Sequence, residues 1–372
     1  MSGDSTGLPD SASKRNGRSI WFHIHFWIGW IAAIPIALIC FTGAALVFEQ
    51  NLFRWEHKAL YQLDTTGEAM SVAEVLEAYR SSDPPLRVNH LGIPQSPEYS
   101  YSAYCAELHP DGNRGAGRVF LNPYTGELSR LSEGFSLSHF LIDVHRRMAS
   151  GRIGQQVAAI SSLVLAITCI VGLILWWPLR GRTFVRAVTR GGALDWHNAL
   201  GLVVLVPLAI MAITGFTFTW GRQIWPALEA LQDGPSQASR PTVEAPAGGS
   251  RLSIEAIVER ALARYPEGTW TGFQPSNRDT SAHALFFTLG SGNAQLFLDP
   301  FTGEELHSPV AVRSGPATWY RQRFGRLHTL YPYGWVARIL WGALSLGGTI
   351  LVATGLWISI KRWRRNRTGS VD

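Results

Sequence analysis

Four apolar stretches, at residues 21–48, 153–177, 194–220 and 335–360, are each long enough to cross a bilayer as a helix, which takes about 20 residues. In hydrocarbon every backbone N–H and C=O must be satisfied inside the segment, so four such stretches predict a bundle of membrane helices. Composition agrees: 16% of the 372 residues are charged, against about 25% in ordinary soluble domains. The first stretch sits where a secretory signal would. It is longer than a typical apolar signal core and runs into Phe48-Glu49-Gln50 without a small-residue cleavage site. We read it as an uncleaved anchor.

The net charge of +6 gathers beside these stretches. Lys14, Arg15 and Arg18 precede the first. Arg180, Arg182, Arg186 and Arg190 follow the second, and Lys361, Arg362, Arg364, Arg365 and Arg367 follow the fourth. In a four-span chain these three groups share one side, and the positive-inside tendency makes it the cytoplasm. The expected organisation is a cytoplasmic tail (1–20), first span (21–48), outer segment (49–145), second span (146–177) and cytoplasmic connection (178–193). A third span (194–220), second outer segment (221–327), fourth span (328–360) and cytoplasmic tail (361–372) complete it. In a bacterium this places a multi-pass protein in the inner membrane, with both long segments in the periplasm. Cys40, Cys105 and Cys169 have no CxxC or similar spacing, so neither a disulfide framework nor an iron–sulfur site is supported.

Each outer segment carries the same pattern. A capped helix is predicted from Ser71, with Glu74 three residues on, and another from Ser253. Strand-like stretches follow, ending in Asn122-Pro-Tyr-Thr-Gly126 and Asp299-Pro-Phe-Thr-Gly303, where proline fixes φ and glycine supplies positive φ. One helix with a few strands makes a small α+β module. The fold class is therefore a mainly α membrane protein, a four-helix bundle built from two repeats, with two small α+β modules outside.

The repeat extends into the spans and selects four histidines. Thr42-Gly43 follows His25 as Thr214-Gly215 follows His197, with 17 residues from histidine to threonine in both. His145 precedes Gly172 as His328 precedes Gly355, by 27 residues in both. An ionisable side chain at membrane depth is costly and marks function by default. Haem takes an imidazole nitrogen as axial ligand and slots between facing helices. Two-fold repetition pairs His25 with His197 and His145 with His328 as axial ligands of haem iron, giving two haems. Gly29 and Gly201, one helical turn after His25 and His197, would leave room for a flat macrocycle. Arg146, Arg147, Arg152, Arg323 and Arg326 stand near the outer pair and could meet propionates or simply anchor the interface. His23 and His139 have no assigned role, and His57, His90, His109, His283 and His307 have no evident partners. Counted along straight helices, the two histidine layers lie roughly 35–40 Å apart, a long gap for direct transfer.

These residues together resemble the PepSY-associated transmembrane helix family. The resemblance rests on His25-x-x-x-Gly29, on Leu141-Ile-Asp-Val-His145-Arg-Arg and on Gly151-Arg-Ile-Gly154-Gln-Gln. It rests also on Trp196-His197-Asn-Ala-Leu-Gly201 and the two Pro-Tyr/Phe-Thr-Gly turns, and it covers nearly the whole chain beyond the N-terminal tail. Within that family the chain is similar to the inner-membrane ferric-siderophore reductases of the ferrioxamine type. The resemblance implies PepSY modules outside, b-type haems at His25, His145, His197 and His328, and a role in iron acquisition. No GxGxxG follows a strand and the cytoplasmic segments are too short for a nucleotide domain. The expected electron donor is a separate reductase, a quinol or a diffusible reductant.

The sequence thus supports a haem oxidoreductase that passes electrons across the membrane to a ferric siderophore, with no catalytic residue beyond the haem and no nucleic-acid partner. The competing readings are a non-redox PepSY scaffold or transport component, which would be colourless, and a general transmembrane electron conduit. Reporter fusions check the topology: fusions within 50–145 and 221–327 are expected to report the periplasm, and those at both termini the cytoplasm.

Overall fold

A computed structural model of the protein describes residues 10–108, 114–130, 136–231, 241–246, 250–276, 280–289, 292–306 and 315–367. It is mainly helical, at 64%. In chain order the helices are α1 (Asp10–Ile31), α2 (Ala33–Ala45), α3 (Glu49–Glu56), α4 (Val72–Arg80), α5 (Leu137–Arg147) and α6 (Gly151–Trp176). They continue with α7 (Thr183–Arg190), α8 (Ala193–Glu229), α9 (Ile254–Arg264), α10 (Pro316–Thr329) and α11 (Gly334–Arg367). The strands are β1 (Leu86–Gly92), β2 (Tyr101–Glu107), β3 (Arg114–Leu121), β4 (Leu128–Arg130), β5 (Thr269–Gln274), β6 (His283–Leu289), β7 (Gly292–Leu298) and β8 (Glu305–Leu306). The chain divides into two compact units. Met1–Glu49, Ser136–Gln232 and Gly315–Asp372 form the first, and Gln50–Phe135 with Asp233–Ser314 the second.

Four helical segments are long and apolar enough to cross a membrane: Ala33–Glu56, Gly151–Trp176, Ala193–Glu229 and Tyr331–Arg367. Their apolar side chains turn outward. Ile34 is 73% exposed, Ile153 78% and Val336 74%. An apolar surface so continuous is untenable in water and suited to lipid, so the chain is a multi-pass membrane protein. The spans pack through Ala32, Ile36, Cys40, Val204 and Leu208, with small residues drawing the backbones together. Gly348 meets Cys40, and Gly347 meets Val204.

Three helix boundaries differ from the sequence expectation. The first apolar stretch, expected as one span over 21–48, is broken at Ala32, between α1 and α2. The break falls where Pro35 has no N–H to offer the carbonyl of Ile31, four residues earlier. The second and fourth spans begin later than residues 146 and 328. Met148 and Ala149 take the left-handed conformation (φ 50° each) and Gly151 follows at φ 58°, so α5 stops at Arg147 and α6 starts afresh. Leu330 (φ 49°) and Gly334 (φ 84°) separate α10 from α11 in the same way. Each break leaves a short helix free to turn back: α5 packs on α2 and α6, and α10 on α8.

The second unit holds one antiparallel sheet of eight strands in the order β4-β3-β2-β1-β5-β6-β7-β8. The sequence expectation of two separate modules is corrected here, because β1 and β5 pair at Leu91↔Phe273 and Gly92↔Gly272 and join both segments into one sheet. Pairing these strands removes two edges that would otherwise expose unpaired backbone groups. One shared core lies under α4 and α9, with Val75, Leu76, Tyr79, Ile257 and Val258 against Leu91, Ala103, Val119, Phe273 and Leu285. Ser71 and Glu74 form the expected capping box, and Ser253 caps α9. The two Pro-Tyr/Phe-Thr-Gly turns match in detail. The Asn122 side chain accepts from Tyr124 N–H at 2.9 Å, and Asp299 from Phe301 N–H at 2.7 Å. Gly126 and Gly303 take φ 75° and 70°. Pro123 and Pro300 each lend a carbonyl to the residue ahead of a helix cap, accepting from Met70 and Leu252 N–H.

The Gly151-Arg-Ile-Gly154 motif now has a mechanical reason. Gly151 supplies the positive φ, and a Cβ on Gly154 would stand 1.7 Å from the Arg147 carbonyl oxygen that ends α5. Gly154→Ala is therefore expected to cost at least the roughly 1–3 kcal/mol of overpacking, seen as a lowered thermal midpoint in detergent. Gly181→Ala, with open space around it, is expected to leave that midpoint unchanged.

Candidate functional site

The four histidines selected by the repeat all lie in the first unit, and each ring is set against a glycine of a neighbouring helix. A Cβ on Gly43 would be 3.1 Å from Cε1 of His145, and one on Gly215 3.4 Å from Cε1 of His328. A Cβ on Gly172 or Gly355 would be 3.5 Å from Cε1 of His25 or His197. The glycines flagged in sequence for making room play a different part. Gly29 has open space about it and Gly201 meets only a Leu351 methyl at 3.9 Å.

His145 and His328 come together. Their ring centres are 6.1 Å apart with planes tilted by 58°. Nδ1 of His145 lies 3.1 Å from Thr42 Oγ1 and 3.0 Å from the Ile39 carbonyl. Nδ1 of His328 lies 2.9 Å from Thr214 Oγ1. Phe218 meets the His328 ring edge-on, and Trp341 Nε1–H donates to the His328 carbonyl at 2.8 Å. The second pair is placed alike in part. Nδ1 of His197 lies 2.9 Å from Thr354 Oγ1.

The gap between the layers is much shorter than the straight-helix count. Gly43, which meets His145, also meets Ser345, ten residues before Gly355 on α11. Gly215, which meets His328, also meets Ser162, ten residues before Gly172 on α6. Both helices put the layers about 15 Å apart at 1.5 Å per residue, not roughly 35–40 Å. A straight-helix count carries His145 and His328 on continuous spans, whereas α5 and α10 break away and fold back into the bundle.

The other expected residues separate clearly. Arg146, Arg147 and Arg152 are exposed, and Arg147 pairs with Asp143 at 3.4 Å. Arg326 is half-buried, and Arg323 stacks on Trp319. None of these has a recorded bond to a histidine among the described residues. Among the described residues the buried arginine is Arg338, 8% exposed, which donates to the Val47 carbonyl and lies 4.5 Å from the ring centres of both Tyr331 and Trp335. The sequence marks it as an ionisable residue inside an apolar stretch, Trp335-Val-Ala-Arg338-Ile-Leu. His23 bonds its own helix at the Ser19 carbonyl, 2.7 Å away. His283 accepts from Ser276 N–H at 2.9 Å. His90 rests edge-on against Phe286, and burial lowers its pKa. His109 and His307 lie outside the described residues, as do the side chains of Lys14, Arg15, Arg18 and Arg180.

The spacing of one histidine pair is compatible with haem. Two imidazole nitrogens on opposite sides of one metal ion, each about 2 Å from it, place the ring centres about 6 Å apart. The His145–His328 separation matches this, and the glycines keep side-chain carbon away from the rings. The profile of the PepSY-associated TM region matches residues 22–362, and no curated protein matches the chain. Valine at Gly215 would push its branches into His328, so if His328 is one of four ligands to two haems, Gly215→Val is expected to cut haem per chain by about half. Quantifying haem against protein checks this.

Proposed function

The chain belongs to the PepSY-associated transmembrane family, and from that premise we propose that it is a haem-containing reductase of a bacterial inner membrane. It carries electrons outward to a ferric siderophore and releases Fe(II). In this reading the basic termini and the basic connection after α6 face the cytoplasm. His25 and His197 then lie toward the cytoplasm, and His145 and His328 toward the periplasm. The two polar segments are the PepSY-like halves of a duplicated chain.

One observation carries the reading: two imidazoles from separate helices, 6.1 Å apart, each braced by a threonine and a glycine. A pair of histidines kept only for packing needs neither matched spacing nor matched glycines. Haem, when bound, supplies a one-electron couple. His145 with His328, and His25 with His197, would hold it. Gly43, Gly215, Gly172 and Gly355 admit the rings close to the neighbouring backbones. Arg338 places a buried positive charge one turn from Trp341 and so favours an anionic group nearby. A layer spacing of about 15 Å brings the two sites within reach of one another across the bundle.

The substrate chemistry asks little more of the protein. Iron(III) held by hard oxygen donors is bound far more weakly once it has gained one electron. The metal therefore leaves without breaking a bond in the chelate, and no acid–base pair or nucleophile is required. Reduction outside also spares the cell from carrying a bulky polar chelate through hydrocarbon. The donor is a quinol, a separate reductase or a diffusible reductant.

The purified protein is expected to give a b-type pyridine haemochrome with two haems per chain, and His145→Ala or His328→Ala is expected to lose one of them. Adding a ferric siderophore to the anaerobically reduced protein should reoxidise it while ferrozine traps Fe(II). A colourless protein would turn the reading to a scaffold. Haem that ignores every ferric chelate yet is oxidised by another periplasmic acceptor would make it a general conduit.

A further inference from the structure

Three of the four histidines share a bond that decides which ring nitrogen carries the proton. Thr42 Oγ1 donates to the Leu38 carbonyl at 2.6 Å, Thr214 Oγ1 to Ile210 at 2.6 Å, and Thr354 Oγ1 to Ile350 at 2.9 Å. A threonine hydroxyl has one proton to give, and each of these is given to the carbonyl one turn back. The same three oxygens lie 3.1, 2.9 and 2.9 Å from Nδ1 of His145, His328 and His197. An oxygen whose proton is already engaged can only accept, so Nδ1 must be the donor. At His145 the Ile39 carbonyl, 3.0 Å from the same nitrogen and without any proton, requires the same assignment. Each ring is thereby held with hydrogen on Nδ1 and a free lone pair on Nε2, the form that ligates a metal.

His25 breaks the pattern. Its Nδ1 is buried without a hydrogen-bond partner among the described residues. The Thr168 carbonyl approaches the ring without a hydrogen bond to Nδ1. The reason is a single residue. The glycines beside His145, His328 and His197 are preceded by Thr42, Thr214 and Thr354, whereas Gly172, beside His25, is preceded by Val171. Valine has the shape of threonine without the hydroxyl, and here it is 2% exposed.

We propose that Thr42, Thr214 and Thr354 are positioning residues that fix the metal-ligating tautomer of three histidines, and that Val171 leaves His25 unanchored, so that the two haem sites are unequal by construction. The proposal rests on the haem reading. A hydrogen bond donated from Nδ1–H makes the imidazole a stronger donor to the metal and favours the ferric state. The His145–His328 site has such a bond on both ligands, and the His25–His197 site on one. The first is accordingly the lower in potential.

Spectroelectrochemical titration of the full-length protein in detergent tests this. The wild type is expected to show two resolved one-electron waves. Thr214→Val should raise the lower wave alone and Thr354→Val the upper wave alone, each with haem content kept, while Thr42→Val should move the lower wave less than Thr214→Val, because the Ile39 carbonyl still accepts from Nδ1–H of His145. Val171→Thr, which supplies the missing hydroxyl, should lower the upper wave. Thr214→Ser should restore the wild-type value, since serine keeps the bond. Nitrogen-15 spectra of histidine-labelled protein prepared without haem provide a second readout, with Nδ1–H expected at His145, His197 and His328. A haem-replete protein whose waves do not move in any variant overturns this proposal alone, as does an Nε2–H tautomer at those three residues. A protein that binds no haem overturns the haem reading, and the ligand role with it.

Discussion

The close seating of a histidine ring on a glycine of the next helix is the contact around which the membrane unit is arranged. At each of four places a Cβ in the glycine's position would come within 3.1 to 3.5 Å of an imidazole carbon. Such seats are available only where small residues let helices approach closely, and Gly342, Gly347 and Gly348 on α11 extend that approach beyond the histidines. A buried imidazole also costs free energy unless its polar atoms are satisfied, which accounts for the threonine beside three of the glycines. The seats in turn demand the short helices α5 and α10. His145 and His328 reach them only because the chain breaks at Met148 and Leu330 and folds back.

The second unit uses a different economy. Its helices are fixed at their starts by serine caps and by the carbonyls of Pro123 and Pro300, so that each turn orders both a strand end and a helix start. The β1–β5 pairing makes a single sheet from two segments far apart in sequence. The phenol of Tyr79, buried within this core, donates to the Val119 carbonyl at 3.0 Å, and burial pushes its pKa upward. Burial likewise pushes the Cys105 thiol up to about 12, leaving it an inert part of the packing.

Much of this was legible in the sequence because it is periodic or chemically marked. Apolar length announced the spans, Ser71 with Glu74 announced a helix start, and repeat spacing singled out His25, His145, His197 and His328 from eleven histidines. What could not be read was backbone path. Nothing in Arg146 to Gly154 states that Met148 and Ala149, neither of them glycine, take left-handed conformations, so the layer spacing was overestimated more than two-fold. The glycine in contact with each ring also escaped notice, since the contact is between helices while spacing along one chain points to the same helix. Arg338 was visible but was absorbed into an apolar run. The union of the two outer segments needed long-range pairing that local pattern does not encode.

In the proposed reading the matched seats hold two flat cofactors between paired imidazoles, one pair braced by threonine on both sides and the other on one. Low-temperature electron paramagnetic resonance of the oxidised, purified protein examines that claim most directly. The account predicts two low-spin ferric signals characteristic of paired imidazole ligation, one of which disappears in His145→Ala and in His328→Ala alike. Absence of haem signals, or a high-spin spectrum unaltered by those substitutions, would contradict it.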